Sequence, residues 1–160
     1  MRLVLIGIGR LKSGPERDLV ERYMARLAAG ARTAGLTGVD LREADESKAR
    51  RTDDRKSEEA RAIRALLPAG ATVLALDERG DPVSSAAFAA RIGKARDSGA
   101  PALALVVGGP DGLDPGFRQS CAACIAFGAM TWPHQLVRVM AAEQLYRATT
   151  ILTGHPYHRA

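Results

Sequence analysis

The sequence predicts an α/β fold with a mostly parallel β-sheet and helices on both faces. Three short, continuous apolar runs, at residues 3–8, 72–76 and 103–107, have the composition of strands that are buried on both faces. The segments between them place apolar residues at helical spacing. Because strands and helices alternate along the chain, a parallel sheet is favoured over an antiparallel one.

The region up to residue 59 is expected to form two strands, one helix and a mobile segment. Residues 1–8 form the first strand, and a helix follows from Pro15 to Gly30, where the apolar pattern stops. Residues 39–41 form a weak second strand. Residues 42–59 are rich in charges of both signs, and we expect them to be the most mobile part of the chain.

The middle of the chain repeats the alternation of helix and strand. A helix is expected over residues 57–67, followed by a buried strand over residues 72–76 that ends in a polar turn at residues 77–80. Ser84 has the side chain of a helix N-cap, and the helix that it starts leads to the strand at residues 103–107.

The last third of the chain is dominated by one long helix, which is predicted to begin at Pro133. This helix carries a stripe of apolar side chains that faces either the core or a second subunit. The stripe consists of Val137, Ala141, Leu145, Ala148 and Leu152. Arg138 stands off this stripe and can clamp a phosphate or a carboxylate, although a solvated arginine is the commoner finding.

Three loops rich in glycine, proline or small residues occupy residues 76–80, 108–113 and 127–133. Ligands of parallel sheets bind outside the carboxyl ends of the strands, and we expect all three loops at that edge. Residues 108–112 match neither a P-loop nor a dinucleotide fingerprint, so a tight turn is the competing interpretation of this glycine loop.

Length and composition restrict the classes of protein that fit. The 160 residues, 46% of them hydrophobic, suit a single domain spanning residues 1–160. The net charge of +5 favours a polyanionic partner, but it also suits a merely soluble basic protein. Aromatic residues make up 4% of the chain, too few for a wide base-stacking surface. Neither a signal-peptide core nor a membrane-spanning run occurs, so we expect a cytoplasmic protein.

The sequence contains no complete metal site. Cys121 and Cys124 form a C-x-x-C pair, but no second pair stands at zinc-finger spacing, and buried free thiols are the favoured interpretation. His134 follows a helix-opening proline and is typical of a structural histidine. His155 and His158 lie in a segment too polar to be core, and for this pair we favour a functional role.

Several motifs together resemble one family, the RlmH family of bacterial ribosomal RNA large subunit methyltransferases, which belongs to the SPOUT class. The likeness covers the chain from end to end. It rests on residues 76–77 (LD), 107–113 (VGGPDGL), 130–139 (MTWPHQLVRV), 143–148 (EQLYRA) and 155–159 (HPYHR).

The resemblance implies a fold, a reaction and an assembly. The expected fold is a SPOUT-type α/β knot, in which the carboxyl-terminal part forms a trefoil knot that pattern reasoning alone would not propose. The expected reaction is transfer of a methyl group from S-adenosylmethionine to N3 of a pseudouridine in helix 69 of 23S ribosomal RNA. The expected assembly is a homodimer in which each active site is completed by the partner subunit.

The resemblance also implies which residues bind the cofactor. They are Leu76, Gly108, Phe127, Gly128, Ala129, Met130, Thr131 and Trp132. One departure is visible, because Gly128 and Ala129 stand where many relatives carry a serine and a lysine. Contacts made by the backbone would survive this change, whereas side-chain contacts would not.

The chemistry of the expected acceptor adds a requirement. The cofactor methyl group is already electrophilic, so the enzyme must mainly orient the reactants, but the proton on N3 must also be removed or the developing negative charge stabilised. The candidates for this catalytic role are Arg138, Tyr157 and His158. The side chains expected to face the RNA are His134, Arg138, His155 and Arg159.

Two other functions remain open at this point. The first is a SPOUT methyltransferase that acts on a ribose hydroxyl or on transfer RNA, since a fold does not fix the acceptor. The second is a ribosome-binding protein without catalytic activity, which the basic charge allows. For the favoured function we expect the assembled ribosome to be the substrate, because so small a protein offers little surface for reading an RNA hairpin alone.

Overall fold

The computed structural model describes residues 1–159 and contains a five-stranded sheet in the order β2-β1-β4-β3-β5. All strand pairs are parallel, so the carboxyl ends of the strands share one edge. The strands are β1 (Arg2–Ile8), β2 (Gly38–Ala44), β3 (Thr72–Pro82), β4 (Ala102–Val107) and β5 (Ala123–Ala126). Every residue of the central strand β4 is buried, as its unbroken apolar run predicts.

Helices cover both faces of the sheet, as predicted. They are α1 (Pro15–Gly30), α2 (Thr52–Leu66), α3 (Ser85–Asp97), α4 (Pro115–Ser120) and α5 (His134–Leu152). Buried side chains of α1, α3 and α5 pack on one face, and those of α2 and α4 pack on the other. The α/β architecture is therefore confirmed, while the trefoil knot stays a prediction.

The apolar stripe of α5 faces the core of its own chain. Ala141, Leu145 and Ala148 are fully buried in the cluster that α5 shares with α1 and α3. Val137 and Leu152, at the two ends of the stripe, are only partly buried. The stripe thus fixes α5 to the sheet, and Pro133 precedes it as the N-cap residue.

The charged segment at residues 42–59 differs from its prediction. It is regular at both ends, since β2 continues to Ala44 and α2 begins at Thr52, five residues before the predicted start at Ser57. The segment is therefore more regular than expected, because several of its charged side chains pair with neighbouring groups, and its mobility stays a prediction. Arg55 alone donates to two backbone carbonyls, a hydroxyl and a carboxylate.

Strand β3 also runs further than predicted, through the expected polar turn to Pro82. Its pairing with β5 shifts in register between Leu76 and Asp81. A Cβ atom on Gly80 would lie 2.5 Å from the backbone carbon of Ile125, so glycine is what lets the two strands approach here. Strand β5 and the short helix α4 were not predicted.

Residues 1–159 contain no helix whose length and apolar character would let it cross a membrane.

Candidate functional site

A cavity of about 550 Å³ opens at the carboxyl ends of β3, β4 and β5. It is formed by the three loops that were predicted at this edge, together with the start of α5. All predicted cofactor residues except Ala129 line it, namely Leu76, Gly108, Phe127, Gly128, Met130, Thr131 and Trp132. The structure thus brings these residues together, and their role in binding stays a prediction.

The glycine loop at residues 108–112 forms one wall of the cavity and folds back on itself. The N–H of Gly112 donates to the carbonyl of Gly109 (3.0 Å). A Cβ atom on Gly108 would lie 3.0 Å from the carbonyl carbon of Gly112 and 3.1 Å from the backbone nitrogen of Leu113. A side chain at position 108 would therefore press on the backbone of the loop, which would have to shift by a few tenths of an ångström.

Asp111 ties the tip of this loop to helix α2. The Nε and Nη2 atoms of Arg55 donate to the two carboxylate oxygens of Asp111 at 2.6 and 3.1 Å. This bidentate pair holds the pKa of the Asp111 carboxyl below its ordinary value, mainly through the hydrogen bond from Arg55. The carboxylate stays ionised at neutral pH, so the link to α2 persists.

A second carboxylate, Asp77, lies where β3 passes the cavity. Its side chain is only 7% exposed, and its Oδ1 accepts from Nη1 of Arg118 (3.1 Å). The same oxygen accepts from the N–H of Arg79 (3.0 Å). Asp77 is therefore held rigidly by one cation and one backbone amide.

The open side of the cavity is unusually apolar. Met130 is 73% exposed and Trp132 is 42% exposed, although large apolar side chains in this chain are otherwise mostly buried. Thr131 lies between them and donates from Oγ1 to Oε2 of Glu78 (3.1 Å), which joins this segment to β3. Exposed apolar side chains at the mouth of a cavity are typical of a surface that a ligand or a second chain covers.

His134 lines the cavity at the first residue of α5. Its Nε2 lies 3.6 Å from Oε1 of Glu46. Burial lowers the pKa of His134 and the positive charge of Arg138 adds to this effect, while Glu46 opposes it. The ring is accordingly neutral at pH 7 and can accept or donate a hydrogen bond at the wall of the cavity.

Arg138 was predicted to face the RNA, but the structure places it inside the fold with no exposed surface. Its Nη1 donates to the carbonyl of Gly9 and to Oε1 of Glu43, both at 2.6 Å, and its Nη2 donates to the carbonyl of Ile8 (2.5 Å). Arg138 thus does bind a carboxylate, but it is that of Glu43 in the same chain. The expectation of a direct contact with substrate is corrected, because the side chain has no exposed surface from which a substrate could be reached.

The tail after α5 packs against the middle of that helix. The hydroxyl of Tyr157 donates to Oε1 of Glu143 (3.0 Å), and the guanidinium of Arg147 lies 4.8 Å from the centre of the Tyr157 ring. Burial, together with hydrogen bonding to Tyr23 and Glu143, raises the pKa of the Tyr157 phenol. A phenol in this state keeps its proton at neutral pH, so Tyr157 is poorly suited to act as a base.

The other tail residues remain closer to solvent. His158 is half-buried, with Nδ1 3.5 Å from Nη1 of Arg147. His155 and Arg159 are exposed. No tail residue lines the cavity of its own chain within the described structure.

A second groove of about 520 Å³ adjoins the cavity. It lies between α1, α3, β5 and α5, and its walls are largely apolar. Phe127 and Gly128 line both the groove and the cavity and so lie between them. Its other lining residues include Tyr23, Phe88, Val139, Met140 and Glu143.

The two cysteines are free thiols and only partly buried. Burial raises the pKa of Cys121 to about 11, and its Sγ donates to the carbonyl of Phe117 (3.3 Å). Such a thiol is almost wholly protonated at neutral pH, which argues against redox reactivity. Among residues 1–159, no cluster of three or more His, Cys, Asp or Glu side chains is arranged to hold a metal ion.

Two residues of the site were missed in the sequence, Asp77 and Asp111. Both follow a predicted strand at its carboxyl end, the position from which side chains reach a ligand in parallel sheets. Their position at the ends of these strands could therefore have identified both residues as candidates for the site. Their cationic partners, Arg118 and Arg55, are 41 and 56 residues distant in the chain, so no sequence spacing could have indicated the pairs.

Comparison with known proteins gives consistent results. A family model described as "Predicted SPOUT methyltransferase" matches residues 1–158. The chain is 56% identical over 160 residues to a protein of Xanthobacter autotrophicus named "Ribosomal RNA large subunit methyltransferase H". It is 55% identical over 160 residues to a protein of the same name from Rhodopseudomonas palustris. In both cases the match covers 100% of each chain.

A solved structure supports the fold. It is the crystal structure of a probable methyltransferase from Bordetella pertussis, which is similar with a TM-score of 0.50 and 18% sequence identity. The match covers 92% of this chain and 95% of that one. At this level of identity the likeness bears on the fold alone.

Proposed function

Because this chain belongs to the RlmH family of ribosomal RNA large subunit methyltransferases, of the SPOUT class, we propose that it methylates N3 of a pseudouridine in helix 69 of 23S ribosomal RNA. S-adenosylmethionine is the proposed methyl donor. The observation that carries the proposal is the 550 Å³ cavity, whose lining contains all but one of the residues expected for the cofactor. A ribosomal substrate also implies that the protein acts in the cytoplasm.

The cavity fits a ligand of this size and chemistry. Small-molecule sites typically have volumes of about 300–1,000 Å³ and combine apolar walls with a few fixed polar groups. Here Leu76, Phe127 and Trp132 supply apolar walls, and the glycine loop and Asp77 supply the polar groups. These residues would hold the cofactor, which supplies an electrophilic methyl group when bound, and would exclude water around it.

The departure at Gly128 and Ala129 agrees with binding through the backbone. Gly128 has φ of +105°, a conformation that favours glycine, and a Cβ atom there would meet no other atom within 4 Å. Ala129 does not line the cavity. The segment can thus present its backbone groups without the side chains that relatives carry.

His158 is the proposed catalytic residue for the N3 proton step. Arg147 can only donate, so its contact with Nδ1 of His158 requires an unprotonated Nδ1. The ring hydrogen is then on Nε2. We infer that the N3 proton is lost to solvent water, and that His158 stabilises the negative charge left on the pyrimidine ring by donating a hydrogen bond from Nε2. Tyr157 and Arg147 would hold the histidine in place.

A homodimer is proposed because the tail and the cavity are apart within one chain. Tyr157 binds Glu143, which is six residues and about 9 Å further along α5 than Val137 in the cavity wall. The apolar groove of 520 Å³ adjoins the cavity and is the surface that we propose a second copy covers. The tail of each subunit would then complete the site of its partner, with His155 and Arg159 beside the RNA.

The test uses the purified protein with S-adenosylmethionine and with ribosomes that lack the methyl group. Calorimetry should detect cofactor binding, and mass spectrometry of the ribosomal RNA should locate a new methyl on N3 of the helix 69 pseudouridine. Absence of cofactor binding would overturn the enzymatic function and leave a ribosome-binding protein. A methyl group on a ribose or on transfer RNA would overturn the proposed acceptor.

A further inference from the structure

The loop between β2 and α2, at residues 45–51, lies at the same edge of the sheet as the cavity. It follows the carboxyl end of β2, at the side of the sheet opposite to β5. The cavity occupies the ends of β3, β4 and β5, and the loop extends that edge beyond β1. An RNA strand that reaches the cavity can therefore run along this loop.

The loop has no regular secondary structure, yet it is fixed at several points. The N–H of Ser47 donates to Oε1 of the buried Glu59 (3.0 Å). Nη1 of Arg55 donates to the carbonyls of Ala49 and Arg50 at 3.2 and 3.0 Å. Because Arg55 also holds Asp111, a single side chain sets the position of the loop relative to the cavity wall.

Three cations project from this fixed loop. Lys48, Arg50 and Arg51 are all exposed, and within residues 1–159 none of them forms a salt bridge. The two acidic residues of the loop face other groups, since Asp45 is paired with Arg10 at 2.7 Å and Oε1 of Glu46 lies 3.6 Å from Nε2 of His134. The fold thus holds these cations in place without neutralising them.

We propose that Lys48, Arg50 and Arg51 form a phosphate-binding surface for the RNA substrate. This inference rests on the proposed function, and it assigns a role to the charged segment. Exposed arginine and lysine side chains bind the phosphate groups of nucleic acids without contacting the bases. Phosphate contacts of this kind position the nucleic acid on the protein. A loop that is already ordered loses little conformational entropy when it binds.

The test compares two variants of equal charge. Arg50→Glu with Arg51→Glu reverses the proposed surface. Arg32→Glu with Lys94→Glu is the control, since both residues are exposed and lie near the ends of α1 and α3, toward the opposite edge of the sheet. For each protein, the KM for unmethylated ribosomes is measured at several KCl concentrations, and the cofactor Kd is measured by calorimetry.

The surface variant should raise the KM for ribosomes about tenfold or more and reduce the slope of log affinity against log salt by about 2, since each lost phosphate contact removes about one unit. Its cofactor Kd should be unchanged. Arg50→Lys with Arg51→Lys should stay near the original KM. If the surface and control variants raise the KM for ribosomes equally, the proposed phosphate-binding surface is wrong. If the unaltered protein methylates no ribosomal RNA, the proposed function itself is wrong.

Discussion

The guanidinium of Arg138 packs directly on the Cα atom of Gly7. A Cβ atom on Gly7 would lie 2.5 Å from both Cζ and Nε of Arg138, so any side chain at position 7 would collide with it. The contact joins the carboxyl end of β1 to the second turn of α5. It also explains how an arginine can be fully buried, since glycine makes the room and Glu43 supplies the charge.

Gly7→Ala should therefore destabilise the protein by about 1–3 kcal/mol, the usual cost of overpacking a core. Arg138→Ala should cost about 3–5 kcal/mol, because it leaves the Glu43 carboxylate without its cation. In the double variant, removal of the arginine makes room for the new methyl group. Urea unfolding of all four proteins should thus show a combined loss well below the sum, and simple additivity would contradict the contact.

Gly108→Val should weaken cofactor binding at least tenfold, about 1.4 kcal/mol, because the side chain would push the glycine loop away from its position. The matched control is Gly30→Ala at the end of α1, where a Cβ atom would meet nothing within 4 Å. Calorimetric titration with S-adenosylmethionine measures the cofactor Kd of both variants. An unchanged Kd for the valine variant would show that the loop does not shape the binding site.

Glu59→Gln should change how stability depends on pH. Burial raises the pKa of Glu59 above its ordinary value of 4.5, and repulsion by Asp111 and Glu46 adds to the shift. The folded protein then holds this proton at pH values where the unfolded chain has lost it. Stability should fall as pH rises from about 4.5 through the folded pKa.

Glutamine keeps the hydrogen bond from Ser47 and carries no charge, so this variant should lack that fall and should be the more stable protein at pH 7. Urea unfolding at several values between about pH 4 and pH 8 provides the measurement. Parallel pH profiles for the two proteins would mean that Glu59 is solvated in the folded state.

Two replacements of His158 can show whether this residue acts as a hydrogen-bond donor or as a base. His158→Ala should lower kcat about 100-fold, the loss typical of one donor to a developing negative charge, with the cofactor Kd unaltered. His158→Gln keeps an N–H donor but cannot accept a proton as a base, so it should retain much of the activity. Equal losses in both variants would identify the histidine as the base.

The buried parts of the central strands were predictable from composition. Residues 3–8 of β1 and all of β4 are apolar runs with at most a glycine among them, and no surrounding structure is needed to recognise them. The start of α2 was not predictable, since residues 52–56 contain no apolar residue and are stabilised by partners such as Asp111. The continuation of β3 depends on Gly80 meeting Ile125, a contact that exists only after folding.

The position of the cavity was predictable from the rule that ligands of parallel sheets bind at the carboxyl ends of the strands. The three loops that were expected at this edge do line the cavity. The burial of Arg138 did not follow from any local pattern. Its partners Glu43 and Ile8 are 95 and 130 residues away, and an isolated arginine on a helix is ordinarily solvated. The sequence therefore predicted where the cavity lies but not the network of contacts that supports it.

The exposed indole at the mouth of the cavity gives the protein an optical reporter of its own. Trp132 is the single tryptophan of the chain, and it is 42% exposed beside the space that a ligand would fill. Intrinsic fluorescence excited at the indole band thus originates from one place. Its intensity and emission maximum follow the hydration of that ring, so occupation of the site can be observed in solution without attaching a dye.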